Sequence, residues 1–166
     1  MKPLYEDDYW DIEINWTRPI LYEKIREEGC SHDSIAKLYM ITAKYSRNNP
    51  KCIYIGKTYK QCVSTRLKQV DHKKRYAAFI KNYPRHKFYV SHGLVTINNG
   101  KIVSSRIGDV EKILIYSNDP THGHNVQNIY NHGVKGSYLI KNSGYKSSLP
   151  QIISLGVFVK YSVMSG

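Results

Sequence analysis

Beyond residue 36 this chain is almost without acid. Nine of its thirteen Asp and Glu residues fall in residues 1–36, where four Lys and Arg leave a net charge of −5. Residues 37–166 carry twenty-one Lys and Arg against only Asp71, Asp109, Glu111 and Asp119, a net of +17. A body so short of negative charge attracts a polyanion, and phosphate neutralisation supplies most non-specific nucleic-acid affinity. Cysteine is scarce as well. Cys30, Cys52 and Cys62 are odd in number and form no CxxC pair. That argues against a disulfide framework or a zinc ribbon, leaves the three as packing residues, and points to a reducing, cytoplasmic setting. No stretch approaches the roughly 18 apolar residues of a membrane span, so no membrane is expected among the partners. The acidic N-terminus also lacks the basic-then-apolar order of a signal peptide. There is no internal repeat, low-complexity tract, zinc finger or evident helix-turn-helix.

What is present fits one domain of 166 residues with an ordinary apolar content, enough for a real core. Residues 1–36 read as an acidic, helical N-terminal segment. Trp10, Trp16, Tyr22 and Ile25 would anchor one or two helices, with Thr17 an N-cap ahead of Pro19. Residues 37–43 are apolar and β-prone, and Cys52–Gly56 forms a second short strand after a turn through Asn48-Asn49-Pro50. Val63, Leu67 and Val70 recur at i, i+4 and i+7 as one core face of a helix. A third strand over Phe88–Ile97 leads to the turn signal Asn98-Asn99-Gly100 and a fourth short strand at Lys101–Ser105. A helix follows from Asp109 to Tyr116, stopped at Asn118-Asp119-Pro120. Residues 131–166 read as a β-rich C-terminal extension of the same domain, with strands at Tyr138–Ile140 and Ile152–Tyr161 and turns at Asn131–Gly136 and Asn142–Gly144.

Two tyrosine motifs with an arginine behind them carry the chemistry. Lys37-Leu38-Tyr39-Met40-Ile41-Thr42 and Ile53-Tyr54-Ile55-Gly56-Lys57-Thr58 lie on the first two strands, and Arg66 follows on the next helix. Glu111 lies on the later helix, in Gly108-Asp109-Val110-Glu111-Lys112. Together, over residues 37–130, they resemble the core of the GIY-YIG nuclease family. The second motif is intact, whereas Lys37 and Leu38 stand where the family has Gly and Ile.

The resemblance implies an α/β fold, a small mainly antiparallel sheet flanked by helices, with additions at both ends. It implies a metal-dependent DNA endonuclease that hydrolyses phosphodiester bonds. Tyr39 takes the place of the proposed general base, Tyr54 supports it, Arg66 binds the phosphate, and Glu111 holds one Mg²⁺ or Mn²⁺ per active site. Asn125 takes the family's asparagine role, with Asn128 as fallback. Relatives often place a histidine four residues after the arginine, where both share a helix face. Here that position is Val70 and the histidine is His72. Either the helix ends early and His72 swings in, or Lys73 substitutes. A free phenol has a pKa of about 10, so Tyr39 needs cations to act as base, and Lys57 is the candidate.

Residues 71–87 interleave Lys73, Lys74, Arg75, Lys81, Arg85 and Lys87 with Tyr76, Phe79 and Tyr83, a pattern suited to tracking double-stranded DNA. The absence of a separate DNA-binding domain resembles the family's small, sequence-specific restriction endonucleases, and a double-strand cut favours a homodimer. The alternatives are a structure-specific or weakly specific nuclease of phage or repair type, and a nucleic-acid-binding module that has lost turnover. His122, His124 and His132 match no zinc spacing and are more simply phosphate contacts.

Overall fold

The computed structural model describes residues 9–29, 36–118 and 133–156. In chain order these form β1 (Tyr9–Trp16), β2 (Ile20–Leu21), α1 (Tyr22–Glu28), β3 (Leu38–Lys44), β4 (Lys51–Lys57), α2 (Val63–Leu67), α3 (Val70–Asn82), β5 (Lys87–Ile97), α4 (Ser104–Ser117), β6 (Ser137–Gly144) and β7 (Ile152–Leu155). The fold is α/β. Its sheet runs β4-β3-β5-β1-β6-β7, with β2 paired to β5.

The sheet is mixed, not the mainly antiparallel one expected. β1 and β6 run parallel, from Tyr9 opposite Ser137 to Trp16 opposite Gly144. A parallel pair needs a long crossover connection, and the chain between these strands includes α4. The parallel pair arises because the N-terminal segment is not the helical appendage expected. It inserts as a strand between β5 and β6. Asp11-Ile12-Glu13-Ile14-Asn15-Trp16 alternates with period two, and Ile12, Ile14 and Trp16 are fully buried or nearly so. Trp16 donates its indole N–H to Asn142 Oδ1 at 3.0 Å. Tyr22 and Ile25 do sit on a helix, α1, and are buried there. Thr17 caps no helix. Its hydroxyl accepts the backbone N–H of His92 at 2.9 Å, tying the end of β1 to β5.

Helices cover both faces of the sheet. Leu38, Met40 and Ile55 share one core with Ile12, Ile14 and the buried residues of α4, Ile107, Val110, Ile113 and Leu114. Tyr39, Ile41, Tyr54 and Val90 share the other with Tyr22 and Ile25 of α1, Val63 and Leu67 of α2 and Phe79 of α3. At the end of α4, Asn118 donates its side-chain amide to the Cys52 carbonyl at 3.2 Å, which moors that helix to β4.

Other readings need correction. Lys101–Ser105 is not a strand: after the turn at residues 98–100 the chain enters α4, which starts five residues earlier than Asp109. Val70 is 67% exposed, because α2 ends at Leu67 and a new helix begins at Val70. Residues 142–144 are not a turn but the end of β6. Cys52 is a buried free thiol, as a packing residue should be, but Cys62 is disulfide-bonded. An odd count rules out complete pairing, not one bridge. No helix among the described residues is long and apolar enough to cross a membrane.

Candidate active site

The β3–β4 hairpin positions both tyrosines. Tyr39 lies opposite Gly56, and its ring fills the space where a side chain at position 56 would stand. A Cβ there would sit 2.4 Å from Tyr39 Cζ and Oη. The motif's glycine is thus the slot for the motif's tyrosine. Strict alternation from Cys52 would put Tyr54 on the Cys52 face, away from Tyr39. The register instead slips between Ile41 and Thr42: Ile41 faces Tyr54 while Thr42 faces Cys52. This bulge leaves Ile53 without a direct partner and turns Tyr54 onto the face of Tyr39. The two rings lie 6.0 Å apart.

The break between α2 and α3 resolves the misplaced histidine. Lys68 caps α2 and Gln69 is extended, with φ −68° and ψ 152°, as it opens α3. The resulting offset swings His72 inward, and it is completely buried. Its Nε2 lies 2.7 Å from Tyr39 Oη, while its Nδ1 has no hydrogen-bond partner. Of the two outcomes the spacing allowed, the early helix end is the one adopted, and Lys73 is exposed. Arg66 directs its guanidinium at Asp71 in a two-toothed pair, Nη1 to Oδ1 at 3.0 Å and Nη2 to Oδ2 at 2.9 Å. Arg75, one turn beyond Asp71, stacks over the Tyr54 ring at 4.4 Å and lies 3.8 Å from the same carboxylate.

Glu111 arrives from α4, on the other side of the hairpin, 3.9 Å from Lys57 Nζ. Tyr39, Tyr54, Lys57, Tyr59, Gln61, Arg66 and Glu111 line one cleft of about 270 Å³. Burial raises the Glu111 carboxyl above the usual carboxylate range, against the pull of Lys57. A buried carboxylate whose charge is only partly offset fits a hard divalent cation, which takes one or two protein carboxylates and completes its shell with water and phosphate. No group of three or more His, Cys, Asp or Glu side chains is gathered among the described residues; of those lining this cleft, Glu111 is the carboxylate that would hold such a cation.

Burial also raises the Tyr39 phenol well above its ordinary value, and the neighbouring Tyr54 adds to this. The expected role of Lys57 in lowering it is therefore corrected. The cation that bears on Tyr39 is Arg66, its pull is smaller than the cost of burial, and Lys57 faces Glu111. Tyr54 is raised by burial too, but Arg75 works the other way.

Burial, with Arg66 and Arg75 adding to it, lowers His72 from 6.5 to about 4. The imidazole is therefore neutral at pH 7 and, with burial and both arginines opposing its protonation, a weak base until a negative charge enters the site. Because the folded value lies below the unfolded one, the unfolded chain binds more protons between about pH 4 and 6.5. His72 therefore leaves stability intact above pH 6.5 and erodes it as pH falls to about 4, by roughly 3 kcal/mol in all. Glu111, raised above 4.5, acts with the opposite sign at the lower end of that range. The His72→Gln variant should accordingly lose less stability than wild type between pH 7 and pH 4.5. Urea melts of the two proteins at both pH values measure the difference, and parallel losses would remove His72 from this role.

The cations of residues 71–87 separate. Arg75 joins the site, whereas Lys73, Lys74, Lys81, Arg85 and Lys87 are exposed along α3 and the turn after it. Phe79 faces the core and Tyr76 packs on Tyr22, so the aromatics of this segment do not form one continuous DNA-facing stripe. Asn125, Asn128, His122, His124 and His132 lie outside the described residues. Asp71 was missed from the sequence, although it is one of only four acids in the basic body and stands five residues after Arg66. A scan of protein-family models and searches of curated proteins and of solved structures find no match to this chain.

Proposed function

We propose that this chain is a metal-dependent endonuclease of the GIY-YIG type, acting on phosphodiester bonds of double-stranded DNA. One observation carries the reading: Tyr39, Tyr54, Arg66 and Glu111, scattered over more than seventy positions, line one cleft, with His72 bonded to Tyr39 behind it. Order along a chain can arise by chance among fifteen tyrosines. Convergence on one small cleft from β3, β4, α2 and α4 is a much stricter condition.

The residues divide the work of hydrolysis. Because burial opposes a bare phenolate, Tyr39 acts as a relay: it takes a proton from the attacking water while passing its own to His72 Nε2. The negative charge of a bound phosphate favours the imidazolium so formed. Tyr54 holds the Tyr39 phenol in place. Arg66 presents a planar fork that matches two phosphate oxygens. Glu111 would hold Mg²⁺ or Mn²⁺, and the ion would supply positive charge for the phosphate and the leaving oxygen. The basic body, +17 over residues 37–166, draws the DNA in. Sequence-specific restriction by a homodimer, as in the small restriction endonucleases that the motifs resemble, is the role we assign to this chain.

A second reading, a nucleic-acid-binding module without turnover, draws on two features. Tyr39 is fully buried, and Asp71 already occupies the Arg66 fork. Supercoiled plasmid incubated with Mg²⁺, Mn²⁺ or chelator separates the two. Metal-dependent nicking or linearisation is expected, with Tyr39→Phe at least about a hundredfold slower and its gel shift in chelator unchanged. Full activity in Tyr39→Phe would remove Tyr39 from the proton path. A clear gel shift with no cutting in either metal would leave the binding module.

A further inference from the structure

A second cavity, larger than the cleft at Glu111, lies on the far stretch of α3. It occupies about 620 Å³ between Leu21 and Glu23 at the start of α1, the C-terminal half of α3 and the first residues of β5. That size is in the range of roughly 300–1,000 Å³ of small-molecule sites. We propose that this groove takes one unpaired base of a nucleic-acid strand; the inference rests on the nucleic-acid reading above but not on cleavage.

The walls are flat and held in place. Tyr76 stacks face to face on Tyr22, ring centres 4.2 Å apart and planes within 1°, and its hydroxyl donates to Glu23. His86 lines the same groove, its ring centre 5.4 Å from that of Tyr83 and 5.3 Å from that of Tyr45, while its Nδ1 lies 3.1 Å from the Pro84 carbonyl. Ile80 and Leu21, 52% and 42% exposed, give the groove an apolar surface open to solvent. The turn that closes this side is strained. Arg85 has φ +69°, a left-handed conformation that costs free energy in any residue but glycine. That strain is kept where it holds His86 in the wall and presents Arg85 and Lys87, both exposed, beside it.

The occupant follows from these features. Aromatic walls accept any flat ring by stacking, and the cations at the rim match the phosphates on either side of one. An apolar peptide would satisfy the walls but gain nothing from Arg85 and Lys87 or from the strongly basic body. A paired base within a duplex has no free face to offer, so a base from double-stranded DNA must first be turned out of the stack to enter unpaired. Glu23 is the one carboxylate among the described residues that line the groove. It accepts hydrogen bonds, which favours bases carrying an exocyclic amine over thymine. Tyr83 lies eleven residues beyond His72 along α3, about 16 Å at the helical rise, so the base would belong to a nucleotide several positions from the bond at Tyr39.

The test uses the full chain in chelator. Fluorescein-labelled 12-nucleotide single strands of adenine or thymine are titrated by anisotropy, and a third strand carries a central 2-aminopurine. Wild type is expected to bind the adenine strand more tightly than the thymine strand and to quench the 2-aminopurine. Tyr83→Leu, which keeps apolar volume but removes the flat ring, should weaken binding about tenfold and restore the fluorescence. Arg85→Gly relieves the left-handed strain, so it folds at least as well as wild type, and it should weaken binding severalfold. Wild-type affinity and quenching in both variants would overturn the proposal, as would binding without quenching in wild type. Quenching by a wild type that never nicks plasmid would sustain the groove and remove the nuclease. Nicking by a wild type whose Tyr83→Leu and Arg85→Gly variants bind normally would do the reverse.

Discussion

Exchanging Glu111 for alanine is expected to slow metal-dependent cutting of supercoiled plasmid roughly a thousandfold, while the gel shift in chelator stays the same or tightens. The asymmetry follows from charge. Among the described residues Glu111 is the only carboxylate lining the cleft, so its loss removes their one anchor there for a divalent cation and their one group that repels DNA. Folding should be little affected. Burial already penalises the Glu111 charge and raises its pKa, so a neutral residue gives up only a backbone hydrogen bond from Lys57 and the distant contact with its ammonium at 3.9 Å. Glu111→Gln, which keeps the shape and loses the charge, should behave like the alanine variant. Loss of gel shift in step with cutting, or cutting retained by either variant, would take the metal away from Glu111. For the same reason activity in limiting Mg²⁺ should fall off on the acid side at a pH above 4.5, the ordinary carboxyl value from which burial lifts it.

Gly56→Ala should be nearly as damaging, though position 56 does no chemistry. The added methyl would stand 2.4 Å from Cζ and Oη of Tyr39, so the side chain would have to shift. Tyr39 is fully buried, bonded to His72 at 2.7 Å and packed beside Tyr54 and Gly56 at once. Overpacking of a tight core costs about 1–3 kcal/mol, and a shift of about 1 Å in a reacting group costs about a hundredfold in rate. A lower melting temperature together with a cutting rate down about a hundredfold is the expected pair of results. Wild-type activity in a stable Gly56→Ala protein would show that the hairpin accommodates the methyl, and that Tyr39 need not sit where it does.

The sheet core was largely legible. Leu38–Lys44 and Lys51–Lys57 fall where their apolar, β-prone runs put them, and the apolar face of α4 is the one its spacing announces. The N-terminal strand was legible too, in the alternation of Ile12, Ile14 and Trp16 with Asp11, Glu13 and Asn15. Reading acidity and scattered aromatics as helix missed it, because charge on every second residue suits a strand with one face in water. The fourth short strand failed for a different reason. Asn98-Asn99-Gly100 is a sound turn signal, but a turn does not dictate whether strand or helix follows it.

The site divides along the same line. Residue type and order by themselves determined to which groups the proposed chemistry falls: two phenols, a guanidinium and a lone carboxylate in a body nearly stripped of acid. Such choices are written one residue at a time, since only certain side chains titrate, pair with phosphate or hold a cation. Placement was not written that way. Whether Tyr54 faces Tyr39 depends on a one-residue slip between β3 and β4, because each such slip turns a side chain to the opposite face of the sheet. Whether His72 reaches Tyr39 depends on a helix that stops at Leu67 and restarts at Val70, and whether Arg66 is free depends on the carboxylate that this restart brings to it. Those are outcomes of packing among β3, β4, α2 and α3, and only the tertiary structure decided them.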